Sequence, residues 1–99
     1  MGINHTLENG KLTLFLKGEL NSFNAEEAEK QIEAFLGEGE IRSIVLDLAE
    51  LVYIASAGLR IIVRLKQRFP ETSLVRVPDD VYDVFHMVGF ENVLHIERL

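Results

Sequence analysis

The run Ser43-Ile44-Val45-Leu46-Asp47-Leu48 is almost continuously apolar. A short apolar run without alternation suits a central parallel strand covered on both sides better than a half-exposed one. The residues after it read as a short turn of polar and small side chains. From about 57 to 69 the pattern becomes helical: Gly58, Ile62, Leu65 and Phe69 fall on one face, Leu59, Ile61 and Val63 widen it, and Pro70 stops it. A buried strand feeding a helix through a brief turn commits the chain to an α/β architecture.

The other elements follow from local signals. Asn9-Gly10 is a two-residue hairpin turn, because both residues tolerate positive φ. Leu12, Leu14 and Leu16 alternate after it as in a strand, and residues 17–21 are expected to leave the sheet. Asn24 followed three residues later by Glu27 reads as a capping box. Ala28, Ile32, Phe35 and Leu36 then mark one helical face, ended by Gly37 and Gly39. Residues 73–77 form a strand, Asp79 caps a third helix bearing Val81, Val84, Phe85 and Val88, and residues 93–96 form a last strand. The expected order is β-β-α-β-α-β-α-β, a mostly parallel sheet with an antiparallel N-terminal edge strand.

A chain of 99 residues with 47% hydrophobic and 26% charged residues fits one domain, 1–99, with a single core. The absence of cysteine excludes a thiol nucleophile and a thiolate metal site. A net charge of −6 argues against nucleic acid, whose phosphates need a basic field. The apolar runs are too short to insert in a membrane, and the N-terminus carries no secretory leader pattern, so a cytoplasmic protein is expected. No heptads occur, which predicts a monomer. His5, His86 and His95 are scattered without metal-ligand spacing, so neither metal nor cofactor is expected.

Chemistry concentrates at the turn before the second helix. Ser56 falls at that helix N-terminus, where the first amides lack partners and negative charge is favoured. Its hydroxyl can cap the helix, worth about 1 kcal/mol. Gly58 permits close packing of helix on sheet, or access to the serine. Arg60, Arg64, Gln67 and Arg68 form a mainly basic stripe on the outer face, either solvated or a docking surface. Asp47 is expected to end its strand and accept bonds from loop amides near the serine. Asn21 is placed on the same rim, at the carboxyl end of the strands where open α/β sheets bind ligands.

Four segments together resemble the STAS domain family (sulphate transporter and anti-sigma factor antagonist), in its stand-alone bacterial form. They are Gly18-Glu19-Leu20-Asn21, Val45-Leu46-Asp47-Leu48, Tyr53-Ile54-Ala55-Ser56-Ala57-Gly58-Leu59-Arg60 and Val88-Gly89-Phe90. The resemblance implies a non-enzymatic antagonist that binds an anti-sigma factor, itself a serine kinase, and frees a sigma factor. Phosphorylation of the turn serine, here Ser56, would end that binding, and a phosphatase would restore it. The partner surface implied takes in Asn21, Asp47, Ala55, Ser56, Ala57, Gly58, Arg60 and Arg64. Ala55 stands where the family often has an acidic residue or a second serine, and Asn21 where it often has aspartate.

Two other readings remain open from sequence. One is a small STAS subunit of an ATP-driven transporter, without a phosphorylation cycle. The other is a small enzyme or nucleotide-binding protein, since fold alone does not fix function. It would have to work without a nucleophile–base pair, and Gly37-Glu38-Gly39 lacks the length and lysine of a phosphate loop.

Overall fold

Asn9 and Gly10 reverse the chain with φ of 52° and 80°, the pair of left-handed residues a tight hairpin loop requires. The computed structural model describes residues 1–99. The turn joins β1 (Gly2–Glu8) to β2 (Lys11–Leu20) in an antiparallel ladder. Then follow α1 (Ala25–Leu36), β3 (Ser43–Ile54), α2 (Ser56–Arg68), β4 (Thr72–Val77) and α3 (Asp79–Met87). A 3-10 turn (Phe90–Asn92) and β5 (His95–Arg98) complete the chain. The strand order in space is β1-β2-β3-β4-β5, parallel from β2 onward. The mixed sheet with one antiparallel edge is the expected architecture.

Because each parallel step moves to the next strand in the same direction, right-handed crossovers put all three helices on one face. The register makes this visible. Leu14, Leu46, Leu74 and Ile96 form one row, the first three fully buried. In the adjacent row, Thr13, Val45 and Ser73 are only half-buried and His95 is exposed. The expectation that β3 is covered on both sides is therefore corrected: the sheet has a helix face and an open face. The 22-residue core lies wholly between sheet and helices, with Phe85 its largest fully buried side chain.

β3 is twice as long as the apolar run suggests. It carries an extra residue opposite β2 at two places, between Asp47 and Glu50 and again at Val52. Each bulge shifts the phase of the side chains. The buried positions Leu48, Leu51 and Ile54 are consequently three apart instead of two. Residues 17–20 do not leave the sheet; they pair with this extension, and Gly18 takes φ 97° at the second bulge.

Several finer expectations also change. The Asn24–Glu27 capping box does not form, because Asn24 spends its side chain on the preceding turn. Pro78, not Asp79, precedes α3, and Asp79 pairs with Arg98. The last strand begins at His95, two residues later than expected. Val63 and Val88 are exposed. Gly89, with φ 74°, supplies the left-handed residue after α3.

Candidate functional site

The strands β2 and β3 end side by side, with Leu20 opposite Ile54. One residue, Ala55, then connects β3 to α2. Its amide donates to the Leu20 carbonyl at 2.8 Å, and its own carbonyl accepts from Gly58 and Leu59 at 2.9 and 3.1 Å. Ala55 is thus bonded to the sheet on one side and to the helix on the other. Ser56 is the first residue of α2 and is exposed. Ala55 occupies the cap position in extended conformation, and no side-chain cap bond forms. The expectation that Ser56 caps α2 is corrected: it lies one residue too far into the helix.

Gly58 explains how the helix comes this close. It is buried, and a Cβ there would lie 2.7 Å from Ile54 Cγ1 and 2.8 Å from Leu20 Cγ and Cδ2. Between the two roles weighed for it, packing is the one visible in the geometry. Ala57 is half-buried beside it.

Asn21 reaches the same end of the sheet because it directly follows Leu20. Its Oδ1 accepts from the amides of Phe23 at 2.9 Å and Asn24 at 3.1 Å, while the Asn21 amide donates to Asn24 Oδ1 at 2.9 Å. Asn24 Nδ2 donates to the Glu19 carbonyl at 2.9 Å. The two asparagines lock each other and the turn that starts α1. The spacing Asn21-x-x-Asn24 was the available signal, an Asx turn rather than a cap box.

Asp47 is not part of this end. It lies mid-strand on the open face, in register with Phe15 and Val75, and is 8% exposed. Its carboxylate accepts from Arg76 Nε at 2.8 Å and from the Ala49 amide at 3.2 Å. Arg76 holds φ 51° where the β4–β5 register shifts. The hydrogen bond to Asp47, then its charge, raises the Arg76 guanidinium above its ordinary pKa. The expectation that Asp47 and Asn21 share one rim is corrected; β3 runs seven residues past Asp47, to Ile54.

The basic stripe also divides. Arg64 binds Glu29 of α1 through two bonds of 2.8 Å, and Arg68 pairs with Glu33 one turn on. These arginines form a seam between α1 and α2 rather than an outer face. Arg60 is exposed and falls four residues after Ser56, hence on the same side of the helix.

Three apolar residues at this end were given no role by the sequence. Phe23, Val52 and Tyr53 are 95%, 67% and 49% exposed. No group of three or more His, Asp or Glu side chains is placed to hold a metal, and no helix is long and apolar enough to cross a membrane.

The chain is 38% identical to BtrV of Bordetella bronchiseptica, a candidate anti-sigma factor antagonist, over 88% of this chain and 78% of that one. An anti-sigma factor antagonist from Mycobacterium paratuberculosis has the same fold, with a TM-score of 0.85 and 18% identity over 99% of this chain and 86% of that one. The unphosphorylated form of the antagonist SpoIIAA superposes with a TM-score of 0.79 at 17% identity, over 96% of this chain and 87% of that one. Its phosphorylated form, from Bacillus, gives 0.71 at 16%, over 96% and 90%. The STAS domain profile matches residues 3–98, and the chain belongs to the STAS domain family.

Proposed function

We propose that this protein is an anti-sigma factor antagonist that docks on its partner through the end of the fold bearing Ser56, and that phosphorylation of Ser56 ends the docking. The observation that carries the reading is the placement of an exposed serine at the first position of α2, directly after a one-residue connection bonded to both sheet and helix. The name of the 38%-identical relative above supports the class of partner, an anti-sigma factor, and favours it over a transporter subunit. SpoIIAA, which shares the fold, exists in both phosphorylated and unphosphorylated forms.

The chemistry suits the place. In the transfer, Ser56 Oγ bonds to the γ-phosphorus of ATP, the bond from that phosphorus to the bridging oxygen breaks and ADP leaves with the electron pair, and the hydroxyl proton passes to a base of the kinase. The product carries about −1.5 to −2 charges. The unpaired amides of the first turn of α2 favour such an anion, and Arg60, one turn on and on the same side of the helix, adds a cation. The fold therefore tolerates the phosphate. A partner face shaped for a small hydroxyl would have to desolvate a dianion, which disfavours the complex. Ala55, Ala57 and Asn21 border the serine, Gly58 sets its position, and Arg64 stands further along the helix against Glu29. A phosphatase acting on the same exposed group would reset the switch.

The test is incubation with the cognate anti-sigma kinase and ATP. A mass gain of one phosphate that is absent in Ser56→Ala, with partner binding lost in Ser56→Asp and kept in Ser56→Ala, is expected. Undiminished binding by Ser56→Asp would overturn the switch.

A further inference from the structure

Phe23 is almost fully solvent-exposed. One exposed apolar side chain is common on protein surfaces and signals nothing alone. What distinguishes Phe23 is how it is held. Its amide is bonded to Asn21 Oδ1, the next amide shares that oxygen, and Asn24 is tied back to the Asn21 amide and the Glu19 carbonyl. The backbone of the turn is fixed before any partner arrives. An aromatic ring on a fixed backbone has little freedom left to lose on binding.

Its position is the second observation. The Glu19 carbonyl that receives Asn24 belongs to the residue paired with Tyr53, and Val52 is the bulged residue next to it. Leu20, one residue on, receives the Ala55 amide from the connection that presents Ser56. Helices α1 and α2 each follow a parallel strand, so both start at this end of the sheet. Phe23, Tyr53 and Val52 thus all lie at the end of the sheet where the strands leading to the serine finish. A comparably exposed residue, Met87 at 83%, closes α3 and falls at the opposite end.

A phosphate switch needs affinity supplied by groups other than the one modified. Ala55, Ser56 and Ala57 are small and offer little apolar area. We propose that Phe23 is the apolar anchor of the docking surface, at the end of the sheet that also exposes Tyr53 and Val52, and that the anti-sigma factor receives it in an apolar pocket beside the place that takes Ser56. The assignment rests on the docking reading above and adds which side chain carries the affinity. Interfaces concentrate binding in a few aromatic residues ringed by groups that exclude water.

The experiment compares wild type, Phe23→Ala, Phe23→Tyr and Met87→Ala against each of the host's anti-sigma factors, purified and immobilised. Phe23→Ala is expected to weaken Kd by at least about tenfold, with Phe23→Tyr and Met87→Ala near wild type. As a kinase substrate, Phe23→Ala is expected to show a raised KM at unchanged kcat. Thermal midpoints should coincide, since nothing is buried at residue 23. Equal Kd for wild type and Phe23→Ala would overturn the anchor and leave the docking reading standing. Absence of binding by the wild type would remove both.

Discussion

Gly58 and Leu20 are packed so closely that residue 58 has no room for a side chain: a Cβ there would lie 2.8 Å from two Leu20 carbons. The contact pins the first turn of α2 to the end of β2, and with it the direction in which Ser56 faces.

Gly58→Ala is therefore expected to destabilise the protein by about 1–3 kcal/mol, the usual result of overpacking a core. The gain in helix propensity from alanine, up to ~1 kcal/mol, offsets only part of it. Urea unfolding of the two proteins measures the difference. An unchanged or higher midpoint would mean that α2 can lift off the sheet without loss.

Asn21→Ala removes the oxygen that receives the Phe23 and Asn24 amides. Loss of these turn hydrogen bonds is expected to lower stability by about 1 kcal/mol. Asn21→Asp keeps the acceptor and is expected to lie close to wild type. Denaturant midpoints of the three proteins would rank them; if alanine and aspartate behave alike, the bonds carry no weight.

The seam between α1 and α2 predicts a coupling. Arg64→Ala and Glu29→Ala, made singly and together, are expected to be non-additive, because each removes the other's bidentate partner. The coupling should shrink as salt is raised. Arg60→Ala, with no such partner in α1, is expected to add independently to Glu29→Ala. Non-additivity for Arg60 instead of Arg64 would reverse the assignment of the two arginines.

The paired arginines make no alkaline transition. Arg76, Arg64 and Arg98 are raised above their ordinary pKa by hydrogen bonds to Asp47, Glu29 and Asp79. A cation raised in the folded state contributes stability that is complete below its unfolded pKa and lost only as pH rises through the folded one. For arginine both lie beyond the alkaline range of the measurement, since the guanidinium stays protonated there. The difference in urea midpoint between wild type and Arg76→Gln is expected to be the same at about pH 7 and about pH 10. A gap that narrows over that interval would assign the contribution to another group.

The helices and the hairpin were legible because their signals are local. Ala28 and Ile32, or Ile62 and Leu65, need only a period, and Asn9-Gly10 needs only its own two φ angles. The length of β3 was hidden because its two bulges space Leu48, Leu51 and Ile54 by three, a rhythm that a strand search rejects. The open face was hidden for another reason: Val45 is apolar yet looks outward, as do Phe15 and Val75 on the neighbouring strands, so the run through β3 reads as buried on both sides. At the site, the position of Ser56 followed from small residues after a strand. Its failure to cap depended on a single residue of helix phase, which composition does not encode. The displacement of Asp47 from the serine followed from the missed strand extension. Which side of a polar helix meets its neighbour, the question behind Arg64, is set by packing across 35 residues of sequence.

The one-residue joint at Ala55 has a consequence for any enzyme that acts on Ser56. There is no tether to pay out, so the serine cannot be drawn into a cleft as an extended substrate would be. Recognition must take the intact corner of the molecule as its target, and a peptide copied from this stretch would be a poor mimic of it.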